Sequence, residues 1–159
     1  ENASLEAIRK KIHTWMVRYP KAVERALKIG ADNIIAIAQK DYMTGGGTNK
    51  DILNVRTGRL RRSLHKRVSV QPSLVKAEIG SNVVYAAIHE FGGTIPAHMV
   101  RARRKKALRF EVGGQTVFAK WANIPAIKMP ARPYIRPAIE KGRPALLKLI
   151  LQEIFKEYR

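Results

Sequence analysis

The chain of 159 residues contains no cysteine, few acidic residues and few aromatic ones. Without cysteine there can be no disulfide framework, no thiolate metal site and no cysteine nucleophile. No run of 18 apolar residues is present, so the sequence predicts no membrane span. The first residues also lack the basic-then-apolar pattern of a signal peptide. These absences predict a domain that folds inside the cell and has no membrane partner.

Positive charge is what the chain has in excess. It carries 31 Lys and Arg against 12 Asp and Glu, a formal net charge of +19. Residues 56–141 hold 18 of the basic residues and only 4 of the acidic ones, with basic clusters at 56–67 and 101–106. The hydrophobic content of 45% is ordinary for a globular protein. We therefore expect one folded domain, residues 1–159, with a polyanion or an acidic protein as its partner.

Hydrophobic periodicity predicts an α+β fold with a small, mainly antiparallel sheet. Helices are expected at both ends, and Pro20 is expected to interrupt the first of them. Four prolines predict an extended arm over 122–137. The predicted regions are a helical part at 1–44, an α+β core at 56–140 and a C-terminal helix at 142–159. The predicted elements are helices at 3–19, 21–42, 58–64, 83–91 and 143–158, and strands at 66–71, 74–79, 107–112 and 116–121.

No catalytic or metal site is predicted. His89-Glu90 resembles the start of a zinc-binding H-E-x-x-H, but residue 93 is Gly, so the second imidazole is missing. The histidines occur in no nucleophile motif, and no phosphate-binding glycine loop has the required spacing. Glu90 lies among apolar and glycine residues, which favours a structural ion pair with an arginine such as Arg59 or Arg132. We expect neither an enzyme nor a cofactor.

A base-reading element is missing as well. The short helix predicted at 58–64 has no preceding helix-turn, and the aromatic residues, 7% of the chain, lie mostly at core-like positions. A basic face that tolerates nearby DNA is therefore favoured over sequence-specific binding. A protein that binds DNA without sequence preference remains the alternative function.

Three segments in a fixed order carry a family resemblance. Residues 56–64 read RTGRLRRSL, residues 85–93 read YAAIHEFGG after an IGS at 79–81, and residues 129–138 read MPARPYIRPA. Together they resemble the tail-completion or virion-morphogenesis proteins of tailed bacteriophages, also described as minor tail or neck proteins. The resemblance covers about residues 56–140, and tail-completion and tail-terminator subfamilies both stay open as analogues.

The resemblance implies a non-enzymatic structural protein that forms a ring, typically hexameric, at the head-proximal end of the tail. Its implied partners are further copies of itself, the head connector or head-completion protein, and a tail terminator or tail tube protein. Genomic DNA would pass through the lumen, in a virion assembled in the bacterial cytoplasm. The candidates for facing DNA in the lumen are Arg56, Arg59, Arg61, Arg62, Arg101, Arg103, Arg104, Lys105 and Lys106.

The proline-rich arm supplies a second set of candidates. A pre-extended segment loses little entropy when it docks, so the arm is predicted to contact a neighbouring subunit or the connector. The opposite possibility, that the arm folds back onto its own core, remains open. The inter-subunit or connector candidates are Ile127, Met129, Arg132, Tyr134, Ile135 and Arg136.

Overall fold

The computed structural model describes residues 2–45, 52–71, 74–103 and 106–157. Two long helices frame it, and short helices and antiparallel strands lie between them in the chain, as the α+β prediction requires. The helices are α1 (Asn2–Ile37), which continues into a π-helical turn (Ala38–Tyr42), α2 (Arg59–Arg62), α3 (Ala86–Phe91) and α4 (Ile135–Lys156). The strands are β1 (Leu64–Gln71), β2 (Leu74–Ser81), β3 (Gly93–Ile95), β4 (His98–Arg101), β5 (Leu108–Val112), β6 (Gln115–Ala119), β7 (Trp121–Ile124) and β8 (Ile127–Met129).

The strands form four antiparallel pairs: β1 with β2, β3 with β8, β4 with β7, and β5 with β6. The first pair is the predicted hairpin. The other three are nested, so residues 93–103 and 106–129 form one long ribbon that reverses at Gly113-Gly114, where both glycines have positive φ. The four strands near its base, β3, β4, β7 and β8, were not predicted from sequence, since each has only three or four residues.

The ribbon changes register once. The β3–β8 and β4–β7 pairs share one register, and the backbone N–H of Ala102 extends it by donating to the Lys120 carbonyl over 3.0 Å. Leu108 then pairs with Ala119. Because Lys120 and Ala119 are adjacent in the chain, the first side of the ribbon is five residues longer than the second between these two points. The basic cluster at 101–106 falls at this insertion.

The two largest differences from the predicted helices concern α1 and α4. The predicted interruption at Pro20 is wrong, because α1 runs through it. Residues 16, 18 and 19 on the preceding turn are exposed, so water can solvate the carbonyl that Pro20 leaves without its helical donor. The predicted start of the last helix at 143 is also wrong. α4 begins at Ile135, with Pro137 in its first turn, where a backbone N–H is not needed.

The core lies where α1 and α4 pack against each other and against the first hairpin. Gly30 and Gly142 are buried at the helix contact, and a Cβ on Gly142 would lie 2.7 Å from Ile34 Cγ1. The core residues are Ile34, Ala38, Met43, Leu53, Leu64, Tyr134 and Ala138. Among the described residues, no helix is both long and apolar enough to cross a membrane.

Candidate functional site

Glu90 holds the start of α4. Its carboxylate accepts hydrogen bonds from the backbone N–H groups of Tyr134 (2.8 Å), Ile135 (3.0 Å) and Arg136 (2.9 Å). The first four N–H groups of a helix lack helical acceptors. Counted from Tyr134, the fourth residue is Pro137, which has no N–H to donate. Glu90, only 7% exposed, therefore accepts from every free donor of this helix end.

The prediction that Glu90 forms an ion pair with an arginine is wrong. None of the ion pairs among the described residues includes Glu90. The sequence offers no Ser, Thr, Asp or Asn directly before Ile135, so the helix end needs an acceptor from elsewhere in the chain. The positive end of the helix dipole supplies the electrostatic stabilisation that a guanidinium was expected to provide.

Gly92 brings the chain segment of Glu90 against the proline-rich segment. It has a φ of +70°, and a Cβ there would lie 2.8 Å from the backbone nitrogen of Ala131. Next to it, the backbone N–H of Arg132 donates to the His89 carbonyl over 2.7 Å. The second and third sequence motifs are thus joined backbone to backbone, which explains why the second ends in glycine.

The first motif joins the same region. Ser63 and Ser81 share a hydrogen bond of 2.6 Å between their hydroxyl oxygens, which connects the end of α2 to the end of β2. Gly58, with a φ of +69°, starts α2. All three motifs therefore meet at one place in the fold.

A pocket of about 520 Å³ opens where the motifs meet. Its floor is apolar, with Met43, Leu53 and Leu60, and Tyr85 stands edge-on to His89 with ring centroids 5.8 Å apart. Burial, together with the positive charge of Arg132, lowers the pKa of His89. The arginines that line the pocket are Arg56, Arg59, Arg61 and Arg132.

The lumen-facing candidates fall into two separate places. Arg56, Arg59, Arg61 and Arg62 are exposed around α2. Arg101, Arg103 and Lys106 are exposed at the ribbon insertion and do not line the pocket, and Arg104 and Lys105 lie outside the described residues. The described residues of the two basic clusters share no pocket.

The extended arm pairs within its own chain. Its strands β7 and β8 hydrogen-bond to β4 and β3, so the arm is folded back as one side of the ribbon. Tyr134 is 1% exposed, and burial together with the charge of Glu90 raises its pKa to about 12. Its side chain is part of the protomer's own core, so its prediction as an inter-subunit contact is wrong.

The remaining arm candidates keep some accessible surface. Ile127 is exposed, Met129 and Ile135 are half-buried, and the exposed Arg136 lies over the Phe91 ring at 5.9 Å. Arg132 is half-buried in the pocket wall. These five residues stay predictions as contacts to a neighbour.

The described part of the chain holds no cluster of three or more His, Cys, Asp or Glu side chains that could bind a metal ion. What the site does contain is a structural junction, in which one buried carboxylate and three sequence motifs, two of them with glycine, fix the start of a helix beside a basic pocket. This arrangement is typical of a structural protein with a charged binding surface.

The chain belongs to the phage virion morphogenesis family, whose profile matches residues 36–152. Comparison with curated proteins and with solved structures gives no match. Family membership confirms the resemblance drawn from the three motifs. It makes the protein a structural component of a bacteriophage virion.

Proposed function

We propose that this protein assembles with copies of itself into a ring that completes the phage tail at the neck, with DNA passing through the lumen. Family membership supports the structural role. The observation that carries self-assembly is an apolar face along the two long helices. The side chains on it, which are 39% to 64% exposed, are Ile8, Ile12, Met16 and Tyr19 on α1 and Leu147, Leu151 and Phe155 on α4.

This face is larger than the isolated apolar side chains that a monomer normally exposes. A groove of about 1000 Å³ lies between the two helices and is lined by Ile12, Tyr19, Ala22 and Ile154. Lys10, Lys11 and Arg18 border the groove, as expected for the polar rim of a protein interface. A neighbouring subunit that covers the groove would bury both helices.

Electron micrographs of the purified or virion-bound protein, together with native mass spectrometry, test this proposal. Wild-type protein should form rings with a central hole, and Leu151→Glu should abolish them by placing a charge on the apolar face. Val84→Glu is the matched control, since Val84 is 98% exposed and lies outside that face. Rings that persist in the Leu151→Glu variant would contradict the assignment of the interface.

The basic insertion in the ribbon is proposed to face the DNA. Arg101, Arg103 and Lys106 are exposed there, and neutralising phosphates releases counterions, which makes binding salt-dependent. Arg103→Gln should lower the slope of log K against log salt by about 1 if the side chain contacts one phosphate. A protein that never forms rings, yet binds duplex DNA tightly with a steep salt slope, would instead favour the alternative function of a free DNA-binding protein.

The same proposal extends to the partners and to the remaining arm candidates. We infer that the head connector or head-completion protein and a tail terminator or tail tube protein bind the two faces of the ring. Ile127, Met129, Arg132, Ile135 and Arg136 are proposed to contact these partners or the next subunit, because the ribbon and the start of α4 leave them partly accessible. Cross-linking from these positions in assembled virions would identify which neighbour each one meets.

A further inference from the structure

The pocket where the three motifs meet has an unbalanced charge. Arg56, Arg59, Arg61 and Arg132 line it, and none of them forms an ion pair with another described residue. Two polar atoms of its wall, Arg132 Nε and His89 Nδ1, are buried without a hydrogen-bond partner. Buried polar atoms are nearly always paired, so each such atom in a native fold calls for an explanation.

None of the carboxylates in the described part of the chain supplies an anion to this pocket. Six described acidic residues are held in ion pairs, and Glu90 is held by the helix end. Of the acidic residues that the structure describes, Glu6, Glu111 and Glu140 remain without such a partner, and none of the three lines the pocket. These arginines are therefore not neutralised by any described carboxylate, and they can bind an anion of another molecule.

The shape of the pocket selects among anions. Guanidinium groups bind both carboxylates and phosphates through paired N–H donors. The floor of Met43, Leu53 and Leu60, however, gives an advantage to a ligand with aliphatic carbon next to its charge. The backbone of a DNA duplex is convex and rigid. Its phosphates are therefore poorly shaped to enter a concave pocket and contact the apolar floor at the same time.

We propose that this pocket binds the carboxylate of a glutamate or aspartate side chain presented by a protein segment of a neighbouring virion subunit. The carboxylate is held by Arg59 and Arg132, and its aliphatic stem packs on the apolar floor. This inference rests on the proposed assembly for the identity of the neighbour, while the chemistry of the pocket follows from its own lining. It assigns the arginines around α2 to a protein contact and leaves the ribbon insertion to DNA.

A titration of the full-length, isotope-labelled protein by NMR tests the proposal. The probe is the capped peptide acetyl-Ala-Glu-Leu-amide, and its glutamine analogue is the control. The glutamate peptide should shift the backbone amide signals of residues 56–61 and of His89, and the glutamine peptide should not. Arg59→Gln and Arg132→Gln should each weaken binding at least tenfold, whereas Arg103→Gln, an exposed arginine away from the pocket, should leave it unchanged.

The titration of His89 gives a second measurement. Burial and the charge of Arg132 lower its pKa in the free protein, so a carboxylate bound to Arg132 should raise that pKa. A pKa unchanged at saturating peptide overturns the proposal. Equal binding of the glutamine peptide, or equal weakening by Arg103→Gln, also overturns it.

A short DNA duplex is the third probe in the NMR titration. If the duplex shifts the amides of residues 56–61 and the peptide does not, the site binds phosphate and the proposal is wrong. Because the peptide is added to isolated protein, its result is independent of ring formation. If rings form but the peptide does not bind, the proposal for the pocket is wrong and the proposed assembly stands. If the peptide binds specifically but no rings form, the proposed assembly is wrong and the proposal for the pocket stands.

Discussion

Replacing Glu90 by glutamine should destabilise the fold through the start of α4. The glutamate offers two oxygens to three donors, with Oε2 accepting from Tyr134 and Ile135 and Oε1 from Arg136. Glutamine keeps the shape of the side chain but has one oxygen and one NH₂ group. If the oxygen keeps its two donors, the NH₂ group faces the Arg136 N–H, so a donor opposes a donor.

The size of the effect follows from these contacts. A hydrogen bond to a charged acceptor contributes about 1.5–3 kcal/mol net, and here one is lost and two become neutral. A negative charge at the positive end of the helix dipole is lost as well, worth up to about 2 kcal/mol where partly buried. The lost bond and the reduction of about 1 kcal/mol in each of the other two predict that the free energy of unfolding falls by about 3–5 kcal/mol for Glu90→Gln, and by at least as much for Glu90→Ala, which leaves three donors without an acceptor.

Urea unfolding followed by circular dichroism measures the loss, and hydrogen exchange locates it. Amide protection of Tyr134, Ile135 and Arg136 should fall more than protection elsewhere in α4. The matched control is Glu140→Gln, an exposed carboxylate on the same helix, which should change stability by no more than about 0.5 kcal/mol. If Glu90→Gln and Glu140→Gln have the same effect, the assignment of Glu90 as the cap of α4 is wrong.

Three further perturbations have defined outcomes. Pro20→Ala restores the missing helical hydrogen bond in α1, so amide protection over residues 6–19 should rise about tenfold or more, as measured by hydrogen exchange. Gly142→Val forces a side chain against Ile34, and urea unfolding should show a loss of about 2–3 kcal/mol. Hydrogen bonds from Lys156 and then Arg25 lower the pKa of Glu153, so its stabilisation exists above the ordinary carboxyl value of 4.5 and is lost as the pH falls through the lowered pKa. The stability difference between wild type and Glu153→Gln should therefore shrink in acid, as followed by unfolding at a series of pH values.

Each of these has its own control or contrary outcome. Gly80→Val adds the same side chain where a Cβ meets no atom within 4 Å, so it should be tolerated, and an equal loss at both glycines would contradict the packing argument. Unchanged amide hydrogen exchange in Pro20→Ala would mean that water solvates the carbonyl left without a donor by Pro20 at no cost in free energy. A stability difference for Glu153→Gln that is constant with pH would show that its ion pairs contribute nothing.

The sequence predicted well what is encoded locally. The β1–β2 hairpin follows from alternating Val68, Val70, Val75 and Ala77 on either side of a turn, and the structure confirms the pairing. The α+β class and the family resemblance are confirmed too. These features depend on patterns within a few residues, or on motifs that can be read directly.

What the sequence did not predict depends on contacts between distant residues. Glu90 and Tyr134 are 44 positions apart, and an acid among apolar residues is equally compatible with an arginine partner. One signal was available: Pro137 in a first turn that no Ser, Thr, Asp or Asn precedes. The pocket joins residues near 57, 89 and 132, so neither Tyr85 nor His89 could be assigned to it before the three motifs were placed in space.

The nested pairing of the ribbon has a consequence for the order of folding. Closure at Gly113-Gly114 brings β5 and β6 together over a very short loop, and each pair formed shortens the loop that the next pair must close. When Gly93 has met Met129, the two ends that Glu90 must join are already neighbours. Pairing in this order would replace one slow, long-range search by a series of short steps, and we expect α4 to gain its fixed starting point after the ribbon has formed.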